Sequence, residues 1–295
     1  MYSTCGSVSG KISPMSGARH IFSLLGWNRH SNILLGGFLL TILLIMYIWW
    51  PLAEEYLAYV DWRGPWWQYM DWLLIGIFAF MSVTIMAGAD LRADALIVFV
   101  GAFGGLAIES WGTQTNLWTY YTNERPPLWI IPAWPIASLA IDRLTRLLNF
   151  LTTKATKGHD GTGIVFRTAY VITFATFMAL MFAFVAPTRD KSFTILALLL
   201  CLGLILTPTD HRYALFTFVT GSALGYYLEV WGTTRQCWIY YTHETPPMFA
   251  VLAHGMAAVA FWRAGMLVKW LGTGVRALIS RQPGPVYTGS PDAET

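Results

Sequence analysis

The apolar residues of this chain fall in blocks of about 20, long enough to cross the hydrocarbon core of a membrane as helices. The chain is 55% hydrophobic and only 12% charged, whereas a soluble domain carries roughly 25% charged residues. We therefore predict an all-α polytopic membrane protein with about eight transmembrane helices. The predicted spans are approximately 32–50, 68–87, 93–112, 127–150, 166–187, 192–208, 212–232 and 247–271.

One aromatic segment occurs twice, 120 residues apart: ESWGTQTNLWTYYTNERPP at 109–127 and EVWGTTRQCWIYYTHETPP at 229–247. An ungapped alignment of 101–144 with 221–264 has 17 identities in 44 positions. We interpret the chain as two parallel four-helix repeats, related by a pseudo-two-fold axis along the membrane normal. The predicted organisation is a cytoplasmic N-terminal tail (1–30), the first repeat (31–151), a cytoplasmic linker (152–165), the second repeat (166–272) and a cytoplasmic C-terminal tail (273–295).

An even number of spans places both termini on the same side of the membrane. That side carries fourteen Lys and Arg residues against five on the other. The positive-inside rule then predicts a multi-pass protein of the cell (inner) membrane with both termini in the cytoplasm. The two aromatic segments would lie outside. The formal net charge of +3 reflects this asymmetry, and no nucleic-acid partner is predicted.

Glu109 and Glu229 are the sharpest functional signal in the repeat. Each follows a G-x-x-x-G pair by four residues, so each carboxyl points in the direction of a small-residue face that suits helix packing. A carboxylate near the end of a membrane helix is costly unless it is paired or functional. It either reaches interfacial water or caps a neighbour, or it is a buried proton donor, because burial favours the neutral acid. His254, in the eighth span, is either a third catalytic residue or a satisfied structural histidine.

The aromatic residues near these acids are candidate substrate-binding residues. A belt at the outer membrane interface requires aromatic residues, but it does not require W-x-Y-Y-T-x-E-x-P-P at one spacing twice. The retained order predicts a folded outer cap over a cleft, and its ring faces would suit a cationic, carbon-rich intermediate. The predicted set is Trp111, Trp118, Tyr120, Tyr121, Trp134, Trp231, Trp238, Tyr240 and Tyr241.

Motifs for several other chemistries do not occur in the sequence. There are no paired His boxes for a di-iron oxidase and no D-D-x-x-D pair for magnesium and diphosphate. There is no Walker A motif, no G-x-G-x-x-G and no G-x-S-x-G. The three cysteines have neither a disulfide-framework nor a metal-ligand spacing. We predict no metal and no cofactor, which leaves acid–base chemistry on an apolar lipid or no chemistry.

A family resemblance rests on G-x-x-x-E-x-x-G at 105–112, W-x-Y-Y at 118–121 and P-x-W at 132–134, with G-x-x-x-E-x-x-G again at 225–232. This pattern resembles membrane carotenoid-biosynthesis proteins, namely carotenoid hydratases and the small membrane lycopene cyclases. PLAEE at 51–55, in a predicted outer loop, looks like the P-x-E-E element of those cyclases. The resemblance implies that a carboxylic acid protonates an isoprenoid double bond. Water or an internal alkene would then quench the carbocation.

Three functions remain open from the sequence. The first is a metal-independent lyase or isomerase in which Glu109 and Glu229 drive hydration or cyclisation of an isoprenoid or carotenoid-like lipid. The second is a proton-coupled small-molecule transporter, whose pseudo-symmetric halves would also surround central carboxylates. No span is interrupted by Gly or Pro at matching mid-membrane positions, which disfavours the transporter. The third is a non-catalytic membrane subunit that docks a partner through its outer loops.

Overall fold

The computed structural model describes residues 26–155, 162–206 and 209–279. These ranges contain nine α-helices: α1 Arg29–Ile48, α2 Trp50–Leu57, α3 Trp72–Met86, α4 Leu91–Gln114, α5 Ala133–Ala155, α6 Thr162–Phe184, α7 Ser192–Ile205, α8 His211–Thr234 and α9 Met248–Ile279. They also contain two short strands, β1 Trp118–Tyr120 and β2 Trp238–Tyr240, and 3-10 turns at Trp66–Tyr69, Leu128–Ile130 and Ala186–Thr188. The chain is therefore mostly helical, as predicted, with one small ribbon added.

Four helices are long and apolar enough to cross a membrane: α1, α4, α6 and the first part of α9. Helices α3 and α7 are also apolar but have 15 and 14 residues. At 1.5 Å per residue they rise about 22 Å and 21 Å, short of the ~30 Å hydrocarbon core. Helices α5 and α8 are long enough but less apolar. Each predicted span overlaps one of these eight helices.

Several boundaries differ from those predicted. Helix α5 continues to Ala155 and α6 begins at Thr162, so both extend into the predicted linker at 152–165. Helix α9 continues to Ile279, past the predicted end of the second repeat. The first 25 residues of the N-terminal tail, residues 156–161 of the linker and the C-terminal tail from 280 onward lie outside the described residues.

Two local expectations differ from the structure. The PLAEE stretch at 51–55, expected in a loop, lies in α2, and both of its glutamates are exposed. Arg143 is one of the fourteen cations predicted on the cytoplasmic side, but it is buried inside the bundle. Its Nη2 lies 2.6 Å from Asp94 Oδ2, and its Nη1 lies 3.0 Å from Asp142 Oδ2. These partners are required, because an unpaired buried charge costs several kcal/mol.

Helices α4, α5, α8 and α9 form the centre of the bundle. Helix α4 packs on α5 and α8 packs on α9, while α5 packs on α8 and α9 packs on α4. In the equivalent way, α3 lies against α5 and α8, and α7 lies against α9 and α4. The outer helices break this pattern, because α1 packs on α3 whereas α6 packs on α8 and α9.

An antiparallel ribbon joins the ends of these helices. Strand β1 pairs with β2 in a symmetric register, with Trp118 opposite Tyr240, Thr119 opposite Ile239 and Tyr120 opposite Trp238. Two copies of one segment pair in this register when a two-fold axis passes through the middle of the ribbon. The repeated segments therefore meet each other directly, close to the ends of α4 and α8.

Asp71, the N-cap of α3, ties that helix to the end of α8. Its carboxylate accepts hydrogen bonds from Leu74 N (3.1 Å), from Trp231 Nε1 (2.8 Å) and from Nε and Nη2 of Arg235 (2.8 and 3.1 Å). Partial burial raises the pKa of Asp71, but the Arg235, Leu74 and Trp231 donors outweigh it and hold that pKa below its ordinary value.

We expect Asp71→Asn to lower the free energy of unfolding by about 1–3 kcal/mol, the cost of losing hydrogen bonds to a charged group. A depressed carboxyl pKa adds stability above the unfolded-state pKa, and that stability is lost as the pH falls through the folded-state value. The difference in unfolding free energy between wild type and Asp71→Asn should therefore become smaller below about pH 4. Thermal unfolding of solubilised protein at pH 7 and pH 3.5 measures this. Asp190→Asn, at an exposed carboxyl, is the control, and equal melting temperatures of the two variants at pH 7 would contradict the prediction.

Candidate functional site

Glu109 is buried near the end of α4, with 3% of its surface exposed. Its Oε2 accepts a hydrogen bond from Trp118 Nε1 at 3.1 Å. Its Oε1 accepts two, from Tyr120 Oη at 2.9 Å and from Trp134 Nε1 at 3.2 Å. The carboxyl therefore points into the protein, as its spacing from the glycines predicts, and three ring donors satisfy it.

Glu229 near the end of α8 has an equivalent set of partners and is equally buried. Its Oε2 lies 2.9 Å from Trp238 Nε1, and its Oε1 lies 2.9 Å from both Tyr240 Oη and His254 Nε2. His254 occupies the position that Trp134 has in the first half. These two rings stack on each other, with centroids 5.9 Å apart and planes inclined by 20°. The two carboxyl sites thus meet at one stacked pair.

The third partner differs chemically between the two sites. The indole N–H of Trp134 only donates, so the oxygen of Glu109 that it contacts must accept. The Nε2 of His254 donates or accepts according to its tautomer, so a proton can lie on either side of its contact with Glu229. The pair of Glu229 and His254 can therefore exchange a proton, whereas the contact between Glu109 and Trp134 cannot.

The turns that follow α4 and α8 bring the ribbon back onto the helices. Asn116 and Gln236 adopt φ angles of 62° and 55°, in the left-handed region. The next amide then bonds back to the helix, Leu117 N to Gly112 O at 2.9 Å, with the same 2.9 Å bond at the equivalent position of α8. This is the Schellman arrangement of a helix C-terminus. It reverses the chain, so that β1 and β2 begin beside the carboxyls.

Gly112 and Gly232 provide the space for the tryptophan donors. A Cβ atom at Gly112 would lie 1.8 Å from Cη2 of Trp118, and one at Gly232 would lie 1.9 Å from Cη2 of Trp238. Each indole ring therefore lies against the backbone of its own helix. Any side chain at these two glycines would displace a ring that donates to a buried carboxyl.

The glycines one turn before the carboxyls admit the third partners. A Cβ at Gly105 would lie 2.3 Å from Cγ of Trp134, and one at Gly225 would lie 2.5 Å from Cβ of His254. The G-x-x-x-G faces thus pack α4 on α5 and α8 on α9 within each half. The contacts of these glycines are with α5 and α9, and not between α4 and α8.

Tyr120 and Tyr240 are neutral donors to these acids. Burial, followed by the nearby carboxyl groups of Glu109 and Glu229, raises the pKa of both phenols well above the ordinary tyrosine value. Both side chains therefore stay protonated throughout the physiological range. Each keeps its O–H directed at a glutamate oxygen.

A cavity of about 650 Å³ reaches both carboxyls. Its walls come mainly from α4, α7 and α9, and almost all of them are apolar. The ionisable side chains that line it are Glu109, Glu229, His254, Cys201 and the two ribbon tyrosines. This volume lies within the range of small-molecule sites. The arrangement therefore presents two acids to a space suited to a hydrocarbon.

The structure places six of the nine predicted aromatic residues on the wall of this cavity: Trp111, Trp118, Tyr120, Trp134, Trp238 and Tyr240. The other three do not line it. The Trp231 indole donates to Asp71, and the Tyr121 hydroxyl donates to the carbonyl of Ile48. The Tyr241 hydroxyl donates to a backbone carbonyl of α6 at 2.8 Å.

Sequence reasoning missed a second cavity, of about 280 Å³, which is lined in part by Asp94 and Asp142. It shares Val100 and Phe261 with the first cavity, so these two side chains separate the two spaces. The sequence contained one sign of this cavity: Asp94 aligns with Ala214, so the first half has a carboxylate that the second half lacks. Within the three described ranges, no group of three His, Cys, Asp or Glu side chains is placed to hold a metal ion.

We expect Gly112→Ala to displace the Trp118 ring and break its hydrogen bond to Glu109, at a cost of about 1–3 kcal/mol from overpacking. The melting temperature in detergent and the intrinsic tryptophan fluorescence should both change. Gly203→Ala is the matched control, because a Cβ there meets no atom within 4 Å. Equal stability of the two variants would show that the ring does not depend on Gly112.

Comparison with known proteins gives no relative on which to base a function. No protein-family model, curated protein sequence or solved structure matches this chain. The chemistry of the site is therefore inferred from its own geometry.

Proposed function

We propose that this chain is a multi-pass membrane enzyme that protonates a double bond of an isoprenoid or carotenoid-like lipid, leading to its hydration or cyclisation. One observation carries the proposal: two buried carboxyls, Glu109 and Glu229, open together into an apolar cavity of about 650 Å³. Buried acids facing a hydrocarbon-sized space suit general acid catalysis. The resemblance to carotenoid hydratases and membrane cyclases agrees with this chemistry.

The proposed membrane arrangement has eight spans, α1 and α3 to α9, as two parallel four-helix repeats. Its support is that four helices have the length and hydropathy of spans, and that the other four also expose large apolar side chains, such as Phe80, Phe150, Leu199 and Tyr227. The short helices α3 and α7 require local thinning of the bilayer at a modest cost. The large exposed apolar surface is stable in lipid and not in water.

Glu229 is the proposed acid, because His254 can exchange a proton with it. The Glu229 hydroxyl gives its proton to one carbon of the alkene. The π electron pair forms the new C–H bond and leaves a carbocation at the other carbon. The acid becomes a carboxylate, and the Nε2–H tautomer of His254, 2.9 Å away, donates to it. Two acids in one buried site do not ionise independently, which favours one proton shared by the pair.

Glu109 is the proposed counter-charge. All three of its partners donate to it, and the Trp134 N–H can do nothing else. A fixed carboxylate in this place would stabilise a nearby cation. The rings of Trp118 and Trp238 line the same space and add cation–π attraction.

The intermediate has two balanced outcomes. In hydration, water attacks the carbocation and its surplus proton returns to the carboxylate, so that one water molecule is added overall. In cyclisation, an internal alkene attacks, and a carbon next to the new cation then loses its proton to the carboxylate. That reaction is an isomerisation with no net change in composition.

We expect Glu229→Gln and Glu109→Gln each to fold normally and to lower lipid conversion by about 100-fold or more, since each removes a proton donor or a charge. The measurement is chromatography of lipid extracts from a host that accumulates a linear carotenoid precursor. Incubation of the unlabelled precursor with membranes of the expressing host in D₂O should place one deuterium on carbon in the product, and only hydration should incorporate ¹⁸O from labelled water.

The matched controls are Glu124→Gln and Glu244→Gln, whose exposed carboxyls lie in the turns after the ribbon. They should keep nearly full conversion. His254→Trp, which copies the first half, should lose conversion as Glu229→Gln does. Wild-type conversion in both Glu229→Gln and Glu109→Gln would reject acid catalysis by these residues.

Proton-coupled transport is the second candidate function, favoured by the second cavity. The two cavities are separated by Val100 and Phe261, as a gated path through the bundle would be. Unchanged host lipids, together with proton uptake into proteoliposomes that Glu229→Gln abolishes, would select transport over the enzyme.

The proposed orientation has cytoplasmic termini and an external ribbon. We expect cysteines introduced by Glu124→Cys and Glu244→Cys, at exposed positions in a Cys5→Ser background, to react with an impermeant thiol reagent in intact cells. Reaction only after lysis would place the ribbon on the cytoplasmic side.

A further inference from the structure

The cavity that reaches the two carboxyls opens on the outer surface of the bundle between α4, α7 and α9. The large side chains at its rim are apolar and exposed, with Phe103 at 60%, Leu196 at 51% and Leu200 at 50%. An exposed apolar rim of this kind is typical of a membrane or ligand contact. In the proposed membrane arrangement, the opening faces acyl chains.

The equivalent surface of the other half, between α8, α3 and α5, is closed. Leu224, Ile77 and Met81 fill it and are buried, with 5%, 6% and 5% of their surfaces exposed. They belong to one core cluster with Ile136 and Leu139. The two equivalent surfaces are therefore packed differently. One encloses a cavity, and the other is a solid core.

The difference follows from residues at matching positions of the repeat. Ile77 and Met81 of α3 correspond to Ala197 and Cys201 of α7, and both smaller residues line the cavity. Leu224 corresponds to Gly104, where a Cβ would lie 2.1 Å from Cε1 of Phe261. The smaller α7 side chains leave the space open, and Gly104 admits the Phe261 ring that forms part of its wall.

We infer that the protein has a single lipid-entry site, in which a linear isoprenoid chain enters sideways from the membrane between α4 and α7 and ends at Glu109 and Glu229. The matching entrance between α8 and α3 is filled and takes no ligand. The isoprenoid class rests on the proposed function, whereas the one-sided cavity does not.

The chemistry of the walls supports this occupant. The lining is apolar and aromatic, with its acids concentrated around one stacked pair of rings. A branched, unsaturated chain gains from contact with such rings along its length. Among the described residues that line the cavity there is no Lys or Arg to bind an anionic headgroup. The remainder of a chain longer than the cavity would stay among the acyl chains outside the rim.

Cys201 and position 81 form a matched pair for testing this inference, because they are equivalent in the repeat. One protein keeps Cys201 in a Cys5→Ser, Cys237→Leu background, in which leucine is the residue at the equivalent position 117. The other carries Met81→Cys with Cys201→Ala in the same background. Both are reconstituted in lipid nanodiscs, reacted with N-ethylmaleimide and analysed by mass spectrometry.

We expect Cys201 to react at least about tenfold faster than the thiol introduced by Met81→Cys, because a close-packed core excludes the reagent. Geranylgeraniol should slow the reaction of Cys201, whereas an equal amount of oleyl alcohol should not. Ala197→Ile, which installs the residue of the closed side, should slow it as well. Leu199→Ile, on the lipid-facing side of α7 and outside the cavity lining, should leave it unchanged.

Equal reaction rates at the two positions, or an Ala197→Ile protein that reacts as fast as the parent, would overturn the one-sided cavity. Equal protection by oleyl alcohol would overturn the isoprenoid assignment. These outcomes are separate from the chemistry. If geranylgeraniol protects Cys201 but the Glu→Gln variants keep full conversion, the lipid-entry site stands and acid catalysis is rejected. If geranylgeraniol gives no protection but the Glu→Gln variants lose conversion, only the lipid-entry site is rejected.

Discussion

Two carboxyl groups buried in apolar surroundings must find their hydrogen-bond donors inside the protein, and most of the central architecture follows from that need. The turns after α4 and α8 return the chain to the helix ends, and the ribbon then holds Trp118 and Trp238 against the acids. Glycines are needed wherever a donor ring crosses a helix backbone. Removal of the acids would leave a set of donors without acceptors.

The features that both halves share hold the two glutamates in place. The features found in only one half are a histidine partner, an open cavity and a buried ion pair. Both glutamates have a tryptophan and a tyrosine donor, but only Glu229 has a histidine. Only one side of the bundle is open to the acids. The buried pair of Asp94 and Arg143 likewise has no counterpart, since the aspartate position holds Ala214. Both repeats thus keep the tryptophan and tyrosine hydrogen bonds to their glutamate. The positions that would handle a proton or a lipid differ between the repeats.

The helical class, the approximate positions of eight of the helices and the inward direction of the glutamates were predictable, because each depends on spacing along a single helix. The cage around the glutamates was not, since it requires β1 and β2 to pair across 120 residues. Side chains alternate along an extended strand, so Tyr120 faces Glu109 while its neighbour Tyr121 turns to Ile48. From the sequence alone, both tyrosines were predicted to be substrate-binding residues. The burial of Arg143 escaped prediction because its partner Asp94 lies 49 positions earlier in the chain.

The ribbon also constrains how the two halves can move. Beyond the paired strands, Tyr121 N–H bonds to Cys237 O at 3.2 Å and Tyr241 N–H bonds to Leu117 O at 3.0 Å. The halves cannot separate at this end without breaking those bonds. Any rotation of one half against the other would therefore use the ribbon as a hinge, with its largest displacements near the first turns of α4 and α8, beside the second cavity. The carboxyls are bonded to the ribbon itself, so they would lie close to the pivot and keep their geometry during such a rotation.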